Sequence, residues 1–389
     1  MFSSRLRRAA GHNRLAVAVE HRRAAGREIL DLTVSNPTRA GFAYPRDLLA
    51  PMAGERSLCY EPEPFGLLSA REAISRDLER HAAIVAPERI VLTASTSEAY
   101  SLLLKLLCDP GDSVLAPRPS YPLIEHLTDL EGVSLEHYRL EFHGRWEIDL
   151  HGLREKALAE HTRAIIMINP NNPTGSSVAD SELDAVASIA REHDLALISD
   201  EVFSDYRIAG DAPRSALRRS DVLTFALGGL SKSVGLPQVK LGWIAVGGGT
   251  PVVSDALDRL ETICDAYLSV STPVQVAAPD LLAAGESVRA QIQNRVRENY
   301  DTLISAAAAM PSCTVMPVEA GWYAIVQVPA LASEDTIVVD LLNETGVLVH
   351  PGYFFDFERE AFLVVSLLPE RQVFAAGVEA LLRQVGRLR

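Results

Sequence analysis

Between residues 90 and 246, short runs of unbroken apolar residues alternate with longer stretches of helical periodicity. The runs fall at 90–94, 113–116, 164–169, 195–200, 222–227 and 241–246. Several are apolar at successive positions, as in strands buried on both faces of a parallel sheet. The stretches at 98–108, 122–130 and 180–193 carry apolar residues at helical spacing. In the last of these, Asp180 reads as an N-cap ahead of Leu183, Val186 and Ala187. Strand–helix alternation of this kind predicts an α/β domain with helices on both faces of the sheet.

The rest of the chain follows another pattern. Long helices are predicted over 251–267 and 287–309, and strands at 313–317, 322–328, 346–349 and 362–367. These suit a smaller α+β domain, joined by the N-terminal segment, where 14–27 is helical in pattern. We therefore divide the chain into a large domain, 45–280, and a small domain built from both ends, 1–44 and 281–389.

Composition excludes several function classes. With 37 basic and 51 acidic side chains the formal charge is −14, which repels phosphate overall and argues against a nucleic-acid or anionic-membrane partner. The N-terminus is locally basic, with Arg5, Arg7, Arg8 and Arg14. No run approaches 18 uninterrupted apolar residues, and the first residues lack the apolar core of a signal peptide. Cys59, Cys108, Cys264 and Cys313 lie far apart, without the spacing of a disulfide framework or a zinc site. Ten histidines show neither HxxxH nor HExxH spacing, so no metal is expected. The glycine run 247–249 belongs to no nucleotide-binding pattern. A reduced, cytoplasmic setting is the expectation.

In an open α/β sheet, ligands bind beyond the carboxyl ends of the strands. Four groups of residues stand there. Lys232 follows the run 222–227 and Gly228-Gly229; a lysine desolvated at such a place becomes nucleophilic, whereas one on a surface loop does not. Asp200 ends the run 195–200 and suits either a protonated heterocyclic nitrogen or the capping of a turn. Asn169-Pro170-Asn171-Asn172-Pro173-Thr174-Gly175 is an irregular turn that presents amides. Ser95-Thr96-Ser97 opens a helix, where backbone N–H groups and hydroxyls receive phosphate or simply cap.

Together, the string 169–175, then Asp200, then Ser231-Lys232, with the lysine 32 residues after the aspartate, resembles the fold-type-I pyridoxal-phosphate enzymes. It is most similar to the class I/II aminotransferases. The likeness extends to 90–99 as a phosphate loop and to Tyr121 after Pro117-Arg118-Pro119-Ser120. It also takes in 66–74 with Arg71, the loop 31–38, and Pro351-Gly352.

The resemblance implies a large domain with a mostly parallel seven-stranded sheet and a homodimer with sites at the subunit interface. It implies pyridoxal 5'-phosphate joined to Lys232 as a Schiff base. Lys232 would also move the proton at the substrate's α carbon, and Asp200 would keep the pyridine nitrogen protonated. Asn172 would bond the phenolic oxygen and Tyr121 would lie on the ring face. Ser95, Thr96, Ser231 and Lys240 would attend the phosphate, and Tyr60 would reach the neighbouring subunit's cofactor. The implied reaction is transfer of an amino group from an amino acid or related amine to a 2-oxo acid.

Four positions depart from the family pattern. Lys240 stands for an arginine and Gly229 for a phosphate-binding serine. Phe203 stands for a tyrosine that donates to the phenolic oxygen, unless Tyr206 substitutes. Val364 stands where an arginine clamps the substrate carboxylate. Either Arg39, Arg118 or Arg207 replaces that cation or the substrate lacks a carboxylate there. The last departure keeps a lyase, a decarboxylase or an enzyme of specialised metabolism open as the alternative. The rings at Trp322, Tyr323, Tyr353, Phe354, Phe355 and Phe357 either pack the small domain or wall an apolar pocket.

Overall fold

The computed structural model describes residues 2, 3, 5, 13–219, 221–268 and 270–387. Of the basic N-terminal residues, Arg7 and Arg8 lie outside these. Arg5 donates to the Leu130 carbonyl and Arg14 pairs with Asp335.

In chain order, β1 is Leu30–Asp31. Next come β2 (Ile90–Thr93), β3 (Ser113–Arg118), β4 (Ser134–Phe142) and β5 (Trp146–Ile148). They are followed by β6 (Thr162–Ile168), β7 (Ala196–Asp200), β8 (Thr224–Gly229) and β9 (Gly242–Gly247). The C-terminal part adds β10 (Thr314–Val315), β11 (Tyr323–Gln327), β12 (Val347–Leu348), β13 (His350–Pro351) and β14 (Phe362–Ser366).

The large sheet runs β2-β9-β8-β7-β6-β3-β4-β5. Neighbours from β8 across to β4 are parallel, β9 is antiparallel to both its neighbours, and β5 is antiparallel to β4. The sheet is mostly parallel, as expected, but has eight strands, because the three-residue β5 extends the edge. The strand β4, next to the edge strand β5, escapes the apolar-run criterion: much of it is solvent-exposed, and its sequence alternates.

Unbroken apolar runs reflect two covered faces. Ile166, Ile198 and Phe225 pack under the helices Thr96–Leu107 and Thr250–Tyr267. Ile165, Met167 and Leu197, one position out of step, pack under Asp180–Glu192 and Leu150–Ala157. The pleat sends successive residues to opposite faces, so each strand feeds two cores. The cap of Asp180–Glu192 is Ala179, not Asp180. The Glu182 carboxylate reaches back to accept from the Ala179 N–H at 2.9 Å, while Asp180 pairs with Arg214 and Arg218.

The C-terminal strands form the sheet β10-β11-β14-β13, packed on Arg371–Val385 and on the end of a 36-residue helix, Thr272–Ala307. That helix is longer than the expected 287–309 and crosses residue 280 without a break. Its first part packs on Leu68–Leu78 and its last part joins the small-sheet core. The N-terminal segment is held by two partners from the far end of the chain. Leu30 and Asp31 pair in parallel with Val347 and Leu348, and the Ser366 N–H donates to the Leu32 carbonyl at 2.7 Å.

Candidate active site

The carboxyl ends of β2, β3, β6, β7 and β8 share one edge of the large sheet, since β9 runs against both β2 and β8. At that edge lies a cavity of about 690 Å³. Asp200 reaches it from the end of β7, Asn172 from the loop after β6 and Lys232 from the short helix Leu230–Ser233 after β8. Thr96 lies there at the start of its helix, and Tyr121 follows β3. The N-terminal segment and the chain from β11 to the residues after β13 close the opposite side with Thr33, Ser35, Tyr323, His350, Phe354 and Phe355. The chain folds this way because each parallel strand must end on the same edge before its crossover helix begins.

Burial and mutual charge tune the two ionisable groups. Burial lowers the Lys232 ammonium from its usual value to about 8, and the charge of Asp200 offsets only part of that effect. Burial raises the Asp200 carboxyl to about 6, against hydrogen bonds from the Val202 N–H at 3.3 Å and the Tyr100 hydroxyl at 3.2 Å. The contact with Val202 is the turn-capping bond that an aspartate at a strand end can accept. Lys232 Nζ lies 4.8 Å from the centre of the Trp322 ring and 5.5 Å from that of Phe203.

The cavity brings together Thr96, Tyr121, Asn172, Asp200 and Lys232. Ser95 stands beside it, with its hydroxyl accepting from the Glu98 N–H at 3.2 Å as an N-cap. Ser231 is half-buried outside the lining, and Lys240 is exposed in a left-handed backbone conformation. Tyr60 is 66% exposed on this single chain. A serine at Gly229 would bring its Cβ within 3.1 Å of the Leu241 carbonyl oxygen and 3.2 Å of Gly242 Cα, so β9 crowds out the side chain.

Two substitutes considered from sequence do not reach the site. The Tyr206 hydroxyl is directed away from the cavity to the carbonyls of Lys232 and Ser233, so it does not replace the phenol absent at Phe203. Arg39, Arg118 and Arg207 do not line the cavity; Arg118 Nε donates to the Asp356 carbonyl at 2.8 Å. Of the C-terminal rings, Tyr323, Phe354 and Phe355 line the cavity and Trp322 underlies the lysine. Phe357 stacks on Phe362 at 4.7 Å in the core, and Tyr353 is on the surface.

Sequence reading missed Tyr100 and His350. Tyr100 lies one turn into the helix that Ser95 caps, which was a usable signal; His350 had none, because its neighbours in space come from distant parts of the chain. The residues fit pyridoxal phosphate. Asn172 Oδ1 is buried on the cavity wall without a hydrogen-bond partner, and an amine, a carboxylate and a helix N-terminus converge on the same space.

The sequence pattern of the family described as "Aminotransferase class I and II" matches residues 53–377. The alanine aminotransferase of Mycobacterium tuberculosis H37Rv is 28% identical over 375 residues, covering 92% of this chain and 86% of the relative. The glutamate-pyruvate aminotransferase AlaA of Escherichia coli K12 is 27% identical, over 88% of this chain and 87% of that one. A crystal structure of an aminotransferase from Escherichia coli shares the fold with a TM-score of 0.88 at 24% identity, over 100% of this chain and 98% of that one. The chain belongs to the class I and II aminotransferases. It is a pyridoxal-phosphate-dependent transaminase, moving an amino group between an amino acid or related amine and a 2-oxo acid; the lyase alternative is not favoured.

Proposed function

We propose that amino transfer runs through Lys232 and Asp200 as the catalytic pair, in two half-reactions that share one cavity. The observation that carries this reading is the convergence of a lysine tuned to about 8 and a carboxylate tuned to about 6 on that cavity. When bound, pyridoxal phosphate supplies a carbonyl that condenses with amines and a cationic ring that accepts an electron pair. Lys232 holds the cofactor and, once free, carries the proton between the donor's α carbon and the cofactor. Its low pKa leaves a useful neutral fraction at neutral pH. Asp200 stays mostly ionised at pH 7 and pairs with the ring nitrogen, while Tyr100 and the Val202 N–H fix its two oxygens. Asn172 meets the phenolic oxygen and Tyr121 the ring face. The N–H groups opening Thr96–Leu107 receive the phosphate with the hydroxyls of Ser95, Thr96 and Ser231, and Lys240 adds charge. Phe203 offers no donor to the phenolic oxygen.

The reading includes a cytoplasmic homodimer in which Tyr60 attends the partner's cofactor, and a chain divided at 45–280 against 1–44 and 281–389. Its support is the exposed apolar surface of Leu58, Tyr60, Tyr267 and Leu268. Among the described residues, no helix is long and apolar enough to cross a membrane. The test is direct. Purified protein with an amino donor should convert the lysine-bound cofactor absorbance to that of the pyridoxamine form, and a 2-oxo acid should restore it. No conversion with any donor rules the reading out.

A further inference from the structure

The donor side of the cavity has an unusual charge balance. Among the described residues that line it, Lys232 and Asp200 carry the only full charges, and the proposed reaction commits both to the cofactor. None of the lining residues is an arginine. Val364, where the resemblance implied an arginine, is wholly buried between Ile325 and His350 of the neighbouring strands.

His350, in register opposite Val364, is the side chain of that sheet edge that reaches the cavity. Its ring lies edge-on to Phe355 at 5.7 Å and near Phe354 at 5.9 Å. Burial lowers its pKa, and the charge of Asp31 opposes this only in part, so the fold favours the neutral ring. A neutral imidazole offers a hydrogen bond without a charge. With Tyr121 against the cofactor, Leu123, Ile124, Tyr323, Phe354 and Phe355 supply the apolar surface left to the donor, and Thr33 and Ser35 add only uncharged hydroxyls. A carboxylate entering such a surround loses its water and gains no cation from this chain's described walls, which is costly; an aromatic or branched apolar group gains by leaving water.

We propose that this site takes primary amines bearing a ring-sized apolar group, needs no carboxylate on the amine-bearing carbon, and uses His350 as the specificity-determining residue on the wall beside Val364. The inference rests on the transaminase reading above and sharpens it. It concerns the donor half-reaction alone: the amine's nitrogen and two electrons pass to the cofactor, and the donor leaves as an aldehyde or ketone with water supplying its oxygen.

The experiment is a single-turnover comparison on the holoenzyme. 2-Phenylethylamine and L-phenylalanine differ by one carboxylate, and each is followed by loss of the lysine-bound cofactor absorbance, with L-alanine and L-glutamate alongside. The expected result is that 2-phenylethylamine reacts with a kcat/KM within tenfold of, or above, that of L-phenylalanine, and that both exceed L-alanine and L-glutamate. Preference for L-phenylalanine by more than tenfold, or reaction with L-alanine or L-glutamate alone, overturns the inference and leaves the transaminase reading intact. Failure of every donor overturns the transaminase reading itself. His350→Arg restores a guanidinium to the wall and should shift the ratio toward L-phenylalanine by tenfold or more; an unchanged ratio in a folded, cofactor-loaded variant also counts against the proposal.

Discussion

The hydroxyl of Tyr206 donates to the backbone carbonyl of Lys232, and so anchors the peptide from which the reactive amine projects. The same hydroxyl lies 3.2 Å from the Ser233 carbonyl, to which Arg289 Nε also donates at 3.0 Å. This support stands behind the lysine, on the side away from the cavity, and Tyr206 is fully buried. Tyr206→Phe should lower stability by about 1–2 kcal/mol, because a buried carbonyl loses a donor. It should leave the pKa of Lys232 in place. Urea unfolding and the pH dependence of cofactor attachment check the two halves separately.

Covalent attachment has a simple readout. Borohydride reduction of the loaded enzyme should fix the cofactor's mass on the peptide that holds Lys232. Lys232→Ala should abolish the fixed label and reduce turnover by at least about 10²-fold, the scale of a lost proton-transfer group.

Asp200 makes stability depend on pH. Burial raises its carboxyl to about 6, so between about pH 4 and 6 the folded, cofactor-free chain keeps a proton that the unfolded chain has released. Stability from this group is therefore present at low pH and falls as pH rises through that window. Lys232, lowered to about 8, works the other way: the unfolded chain binds the extra proton between about pH 8 and 10.5, so stability rises with pH there. Cofactor-free Asp200→Asn should exceed the parent in stability by about 1–3 kcal/mol at pH 7. The gap should close below about pH 4 as the parent's carboxyl takes up its proton. Urea midpoints at pH 4 and pH 7 test this, and a variant weaker than the parent at pH 7 would contradict it.

Phe203→Tyr restores a hydroxyl to a buried side chain on the cavity wall. A donor aimed at the cofactor's phenolic oxygen favours its anion, so the spectroscopic pKa of the lysine-bound cofactor should fall by about one unit. A titration of the loaded enzyme between pH 5 and 9 measures it.

Gly285 sits where Thr272–Ala307 presses on the lysine loop. A Cβ there would meet Val234 Cβ at 2.5 Å, inside any normal contact. Gly285→Ala should cost about 1–3 kcal/mol through overpacking, read as a lower urea midpoint.

Much of this molecule was legible in its sequence. Strands such as Thr162–Ile168 and Ala196–Asp200 announce themselves because two cores demand apolar residues at successive positions, 164–168 in the first and 196–198 in the second. Asp200, Asn172 and Lys232 follow from their place at strand ends. Strand β4, second from the end of the sheet, did not, since its solvated positions dilute its signal. Asp180 was misread as a cap because the cap belongs to a backbone N–H answered by Glu182, which side-chain type alone does not reveal. The half of Thr272–Ala307 before residue 287 lies in a segment whose helical period is interrupted by Pro279 and covered on several sides. Tyr206 looked like a replacement phenol because spacing counts turns, and only the three-dimensional path shows which way the hydroxyl faces. His350 reaches the cavity through strand pairing between segments that share no local pattern.

The Ser366 hydroxyl holds the Val34 carbonyl across 332 residues of chain, next to the two hydroxyl residues that close the cavity's near wall. The eight-stranded floor and its lysine are complete by residue 247, whereas the facing wall needs both the N-terminal segment and the last strand. A chain that stops short of Ser366 therefore keeps every residue lining the cavity and loses the bond that seats the facing wall.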